Sequence, residues 1–524
     1  MFYNYYNDFE YDSCSSRGIC SIEPRSASLQ EVIVMYLKQL SYYLLKLKEM
    51  GVTSTHLKQT VINILAGLSS NFNYSNIQFQ IILNKLETGL ADAIALYEKL
   101  CKEKGLVSES LKTNIKPNKI FDITKSLKQG EKEFLKKIKT LNYLERGMFE
   151  LTFNIIKSIC INIITLQTYG KNEDETYYEI LEFLNYLNNK TADIDEIKEF
   201  ADSFAEYDYK LTKRINELQI YNYGKQEECE VSFSTRPNKA ILVTGENIKE
   251  LELILNATEG KNIDVYTHGD MILAHTFPKL SKFEHLRGQF GTGQENCLLD
   301  YATFPGAIYL AKNSLDRIEY LYRGRLFTGD EIYMKGVIKI NENDFSPMIK
   351  STLDAKGFKT GKEKAPLKIG CSDSNLMTVF QPLFENPYRY NKILIMGSGA
   401  YSIEQKKYFD ELIETIQEDT FLISLTYPIE KENSVYLNTT GDEFFVYKLV
   451  NLIREHKPDS EITLFYGKCT KHSLSNMLNL KKKLVDKIFL SKCFPVSVNP
   501  RIMTTLTHIY GIKTISNVEM DLRD

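Results

Sequence analysis

The stretch AILVTGENIKELELIL (240–255), NIDVYTHGDMILAH (262–275), HLRGQFGTG (285–293) and FPGAIYLAKNS (304–314) decides the fold. Ala240–Val243 is a short apolar β run that turns at Thr244-Gly245. Ile248, Leu251, Leu253, Ile254 and Leu255 then recur at helical spacing, and Ile263–Tyr266 is a second β run ending in Thr267-His268-Gly269-Asp270. Strand, turn, helix and strand make one βαβ unit, and such units place functional groups just past the ends of their strands. Glu246 and Asp270 both stand there, so neighbouring strands would turn the two carboxylates toward one crevice.

Downstream the same alternation returns. The first α/β region ends near Leu367–Ser374, and Ile393–Met396 opens a second with Gly397-Ser398-Gly399-Ala400 behind it. Further strands are expected at Thr420–Leu425, Ser434–Leu437, Ile462–Tyr466, Lys487–Leu490 and Lys513–Ile515. Helices are expected between them over Glu404–Gln417, Asp442–Glu455 and Ser473–Leu484.

Upstream the period is helical. Leu29, Val32, Ile33, Tyr36, Leu37 and Leu40 follow the i, i+3, i+4, i+7 rule, and like stripes run through Leu57–Leu68, Ile77–Leu100 and Phe134–Leu144. The longest apolar stretch, Phe149–Leu166, contains Glu150, Asn154, Lys157 and Asn162, which predicts a buried helix rather than a membrane span. The fold class is therefore multidomain α and α/β: a degenerate cysteine loop over 1–25, a helical bundle over 26–223, and Rossmann-like α/β domains over 236–375 and 385–524.

A chain of 524 residues exceeds what one ordinary core organises. With Lys+Arg 65 against Asp+Glu 68, the net charge of −3 argues against nucleic acid or an anionic membrane as the main partner, leaving local patches open. The acidic, aromatic start MFYNYYNDFEYD has neither a basic nor an apolar targeting region, so a cytoplasmic location is expected. Nine scattered cysteines and no CxxC do not make a disulfide framework. Only Cys14 and Cys20 are close enough to suggest a metal loop, an incomplete one, since two thiolates are half a tetrahedral site.

Three constellations invite chemistry. Gly397-Ser398-Gly399 either cradles a phosphate through backbone N–H groups or is a tight strand-to-helix turn; it lacks the third glycine of a dinucleotide fingerprint. Glu246, His268 and Asp270 offer oxygen and imidazole donors for a hard metal or acid–base work. Otherwise Glu246 is a first-turn residue favoured by the helix dipole and Asp270 a turn residue. Five further histidines, His275, His285, His456, His472 and His508, have no partner at ligand spacing and are expected at the surface or satisfied in the core.

Taken together, VYTHGDM (265–271), Ala274-His275, the gapped HL-x-G-x-FG (285–291), FPGAI (304–308), Asn313-Ser314 and RGRLFTG (323–329) resemble the hybrid-cluster protein family, the prismane proteins or hydroxylamine reductases. There the stretch reads YTHGEM, AH, HL-x-G-x-YG, FPGPI, Asn-Cys and DRIFTTG. The resemblance extends to the Met-Phe start, Tyr169-Gly170, the glycines at 397 and 399, and the closing Asn499-Pro500 and Tyr510-Gly-Ile-Lys513. It implies a carbon monoxide dehydrogenase-like fold and a hybrid iron–sulfur–oxygen cluster held by one His, two Glu and four Cys, at which hydroxylamine or nitric oxide is reduced. It also implies an N-terminal cubane cluster held by four Cys.

Carried over residue by residue, the resemblance puts Glu246 at the His position and Asp270 at the first Glu position. Cysteine positions fall on Ser314, Ser398, Thr426 and either Thr440 or Gly441, and the last Glu falls near Gly467. The first two N-terminal cysteines are Tyr3 and Tyr6. Hydroxyls are poor anionic substitutes for thiolates, so the hybrid cluster is not expected to assemble. Nor do two cysteines hold a cubane, unless a dimer pools four. The expectation is a pseudoenzyme with no cofactor: a non-redox binding, regulatory or partner protein. Its expected partners are a small polar ligand in the vacated cavity, a second copy of the chain, or a true hybrid-cluster protein. The alternatives are a family-type reductase retaining an iron–sulfur cluster, or a hard-metal enzyme using Glu246, His268 and Asp270.

Overall fold

The computed structural model describes residues 24–69, 74–111, 122–189, 193–291, 297–311, 320–385, 389–399, 410, 413–414, 416–425, 428–439, 442, 444–467, 472–490 and 500–514. They fall into two compact units. One runs to Asp208 and also takes Glu331–Lys335 and Ser497–Thr505; the other takes the rest from Tyr209.

The first unit is helical: α1 (Pro24–Glu49), α2 (Thr55–Gly67), α3 (Asn76–Glu103), α4 (Ile123–Thr140), α5 (Tyr143–Thr168), α6 (Glu175–Asn189) and the first half of α7 (Ile194–Tyr223). Caps set where the helices begin. Ser75 with Gln78 and Asn142 with Glu145 form capping boxes, and the Asp122 carboxylate accepts from the N–H groups of Thr124 and Lys125. Helix α5 is the core. It is long and apolar enough to cross a membrane, but 94% of its most apolar stretch is buried against protein. The unit break falls inside α7, whereas the sequence pattern ended the helical domain at 223. Tyr209 explains it: its ring lies 4.6 Å from that of Tyr447 and 5.9 Å from that of Phe444, so the second half of the helix packs with the α/β residues.

The second unit holds two six-stranded parallel sheets and a two-stranded antiparallel pair of β1 (Cys229–Val231) and β8 (Leu367–Ile369). Sheet one comprises β2 (Lys239–Gly245), β3 (Ile263–His268), β4 (Leu286–Gln289), β5 (Ala307–Ala311), β6 (Leu326–Thr328) and β7 (Ile338–Lys339), in the order β4-β3-β2-β5-β6-β7. Sheet two comprises β9 (Lys392–Gly399), β10 (Thr420–Ser424), β11 (Ser434–Tyr436), β12 (Glu461–Gly467), β13 (Lys487–Leu490) and β14 (Lys513–Thr514), in the order β11-β10-β9-β12-β13-β14. Both are the doubly wound order 3-2-1-4-5-6. In each, the chain winds outward on one side, returns to the middle, and winds outward on the other. Helix α8 (Ile248–Thr258) links β2 to β3, α9 (Phe445–His456) precedes β12, and α10 (Ser473–Lys483) links β12 to β13.

The apolar runs follow from this topology. A parallel sheet covered on both faces buries consecutive residues, as Ile263–His268 shows by being buried at every position. Its one acid, Asp264, is held by a two-pronged Arg236 ion pair at 2.8 and 2.7 Å.

Two buried groups contribute to the acid sensitivity of the units. Burial pushes the His275 imidazole down to about 4, and its Nε2 lies 2.9 Å from the Thr267 hydroxyl. The unfolded chain therefore takes up a proton near pH 6.5 that the folded chain refuses until about 4, so stability falls as pH drops through that window. Because His275 as a residue is only partly buried, the loss is expected to be on the order of 2 kcal/mol. Glu31 acts lower. Burial raises it, but opposing positive charge, Lys137 first, outweighs burial and brings it to about 2, so its contribution is lost between about pH 4.5 and 2. Urea unfolding midpoints across pH check this. His275→Gln should flatten the profile between pH 4 and 6.5, and an unchanged slope would remove His275 as its source.

Candidate functional site

In a doubly wound sheet the crevice opens at the carboxyl ends of the strands, where the winding reverses. Here the reversals lie between β2 and β5 and between β9 and β12. The backbones crowd at both seams. A Cβ on Gly245 would sit 1.9 Å from the Ala311 carbonyl oxygen, and Gly245 has φ +115°. A Cβ on Gly397 would sit 2.7 Å from the Phe465 carbonyl oxygen. The Gly397-Ser398-Gly399 run is thus not the tight turn considered above. Strand β9 continues through it and Gly399 pairs with Gly467, past a bulge in β12. The glycine at 397 serves a close backbone approach.

The carried-over positions map onto these strand ends. Strand β2 pairs with β3 so that Thr244 stands opposite His268, and Glu246 and Asp270 each lie two residues further on. Glu246 precedes helix α8 rather than lying in its first turn, since Asn247 is the N-cap and accepts from the Lys249 N–H. Ser398 and Gly467 lie at the ends of β9 and β12. Ser314, Thr426, Thr440, Gly441, Cys14 and Cys20 lie outside the described residues.

His268 is buried and committed elsewhere than to a metal. Its Nδ1 is 3.0 Å from the Thr244 hydroxyl, which accepts from the Tyr301 hydroxyl at 3.3 Å, and its Nε2 is 3.2 Å from Asp300 Oδ2. Both ring nitrogens are engaged, so the hard-metal trio Glu246, His268 and Asp270 does not form. Among the described residues no three His, Cys, Asp or Glu side chains gather as a metal site requires.

The residue the sequence reading missed is His472. Placed above among surface or satisfied core histidines, it is buried at the start of α10, with Nε2 3.8 Å from Glu246 Oε2. That distance exceeds a hydrogen bond but carries a Coulombic attraction when the imidazole is protonated. Glu246 belongs to sheet one and His472 follows the fourth strand of sheet two, so the pair joins the carboxyl edges of both sheets. The signal was available, because His472 stands just past the expected strand Ile462–Tyr466. Thr439, also at a carboxyl edge of sheet two, buries a hydroxyl with no hydrogen-bond partner. Glu246 is only partly buried and so keeps access to whatever occupies the space.

The model of the Prismane/CO dehydrogenase family matches residues 10–424. A hydroxylamine reductase of Thermodesulfovibrio yellowstonii is 25% identical, with 98% of this chain and 97% of the relative aligned. One of Methanocella arvoryzae is 22% identical over the same shares. Among solved structures, carbon monoxide dehydrogenase IV from Carboxydothermus hydrogenoformans superposes with a TM-score of 0.47 at 11% identity, covering 95% of this chain and 86% of that one. An acetyl-CoA synthase/carbon monoxide dehydrogenase gives a TM-score of 0.47 at 13% identity, covering 96% and 82%.

Proposed function

Because the chain belongs to the Prismane/CO dehydrogenase family, we propose that it keeps the family scaffold, has given up the hybrid iron–sulfur–oxygen cluster, and works in the cytoplasm as a non-redox binding, regulatory or partner protein. The observation that carries this reading is the donor chemistry at the strand ends. Glu246 and Asp270 follow β2 and β3, Ser398 and Gly467 close β9 and β12, and the sequence supplies only hydroxyls at 314 and 426. None of these positions offers sulfur. Sulfide-bridged iron is held by thiolates, and a serine or threonine hydroxyl ionises far too weakly to replace one. The residues present do not fit the cluster, and no redox step is derived through it.

What remains is polar. A cluster-sized space that loses its occupant is refilled by side chains, water or another ligand. Glu246, Asp270, His472 and the buried Thr439 hydroxyl favour water or a small polar ligand over a dry core. A second copy of the chain, or a true hybrid-cluster protein, is the macromolecular partner this reading allows.

Iron and acid-labile sulfide per chain, measured after strictly anaerobic purification, test the proposal. A colourless sample without stoichiometric iron, inactive on hydroxylamine, is the expected outcome. A brown sample with a stoichiometric iron–sulfur centre would overturn it and return the chain to the activity for which its relatives are named.

A further inference from the structure

Helix α4 carries six lysines against two glutamates. It docks on α1 through Ser126 and Gly130, both buried; a Cβ on Gly130 would sit 2.0 Å from the Ser28 carbonyl oxygen. The opposite side therefore faces outward. Lys125, Lys128, Lys132, Lys136 and Lys139 are all exposed, and their three- and four-residue spacing puts them on one face. Lys125 lies 3.9 Å from Asp122, while the other four have no carboxylate at ion-pair distance among the described residues. Beside this stripe lie Leu135, Ile138 and Tyr143, exposed by 54%, 40% and 38%.

A cleft with about 20 Å³ of room opens where α4 meets α5. Lys137, Arg146 and Arg501 surround it, with Phe134, Leu141 and Phe149 supplying apolar walls. Lys137 pairs with Glu31 and Arg501 with Glu150, whereas Arg146 has no carboxylate partner among the described residues and lies 5.7 Å from the Tyr143 ring. The cleft therefore keeps an excess positive charge. Lys38, packed beneath, registers the same field: burial first, then Lys137, bring its ammonium down to about 8.

We propose that this face docks on an anionic phospholipid surface. The lysines lie over the headgroups, the cleft at Arg146 takes the oxygens of one headgroup phosphate, and Leu135, Ile138 and Tyr143 enter the headgroup boundary. The apolar side chains flanking the lysines decide for a bilayer over a nucleic acid. They gain nothing on a sugar–phosphate backbone, but apolar area and lysine charge add at a membrane surface. The overall charge of −3 hides the patch, because α4 concentrates lysines that acids elsewhere balance. Nothing in this inference rests on what occupies the strand ends of the α/β unit.

The full chain is floated with vesicles of phosphatidylcholine alone and with one part phosphatidylglycerol to three of phosphatidylcholine. At least tenfold stronger partition onto the anionic vesicles is expected, weakening as salt rises. Lys132→Glu with Lys136→Glu should reduce that partition at least tenfold. The control pair Lys359→Glu with Lys364→Glu, equal in charge change, should leave it intact. Leu135→Asp with Ile138→Asp should make the residual binding more salt-sensitive. Equal partition onto both vesicles, equal loss in the control pair, or no vesicle binding at all overturns the proposal, the last leaving the face to an acidic protein. Inorganic phosphate at millimolar concentration should not strip the chain from vesicles beyond its ionic strength; if it does, the cleft is a free-anion site and the lipid reading falls.

Discussion

Gly245→Ala is expected to leave the α/β unit unfolded or insoluble. Two costs coincide at this residue. A methyl group would lie 1.9 Å from the Ala311 carbonyl oxygen, a backbone atom fixed by the β2–β5 ladder. The residue also sits at φ +115°, where an L side chain is strained whatever the space. Together these should exceed about 4 kcal/mol, a large share of a typical domain's stability. Two controls separate the causes. Gly260 has φ +70° and nothing within 4 Å of its Cβ, so Gly260→Ala reports backbone strain alone, about 1–2 kcal/mol. Gly397 has ordinary φ but a Cβ position 2.7 Å from the Phe465 carbonyl oxygen, so Gly397→Ala reports crowding alone. Urea unfolding should rank the losses 245 above 397 and 260. A stable, soluble Gly245→Ala protein would show that β2 and β5 do not close as described.

The second large effect belongs to Arg236→Ala. Asp264 is buried near the start of β3 with a side chain 1% exposed, and both its oxygens receive Arg236 N–H groups. Removing the guanidinium leaves a buried carboxylate uncompensated, which costs about 3–5 kcal/mol in comparable sites. Arg236→Lys should recover only part, since an ammonium cannot offer the two parallel donors. Replacing both residues, Asp264→Asn with Arg236→Ala, should cost less than the two single losses summed. Strict additivity in that cycle would mean the pair does not interact energetically.

Much of this architecture is legible in the residue pattern, because parallel strands buried on both faces read as apolar runs. Ile462–Tyr466 and Lys487–Leu490 were expected as strands and lie within β12 and β13, and the expected helix Ser473–Leu484 is α10 give or take its last residue. Local signals failed where distant chain segments decide. Glycine after a strand reads as a turn, yet at 397 it accommodates the carbonyl of β12, which no neighbouring residue announces. His472 reads as an ordinary histidine until the fold brings the residue after the fourth strand of sheet two within 3.8 Å of Glu246, after the first strand of sheet one. His268 shows the converse: its chemistry suggested a ligand, but Thr244 and Asp300 claim both ring nitrogens. Strand order itself is not written in local pattern, so the common winding of the two sheets emerged only from their ladders.

That common winding separates what holds the fold from what fills the site. The seams are closed by backbone carbonyls packed over glycines, so the ladders that hold each sheet together do not depend on which side chains stand at the strand tips. A residue exchanged at those tips can therefore change what the site holds while leaving the winding of either sheet as it is.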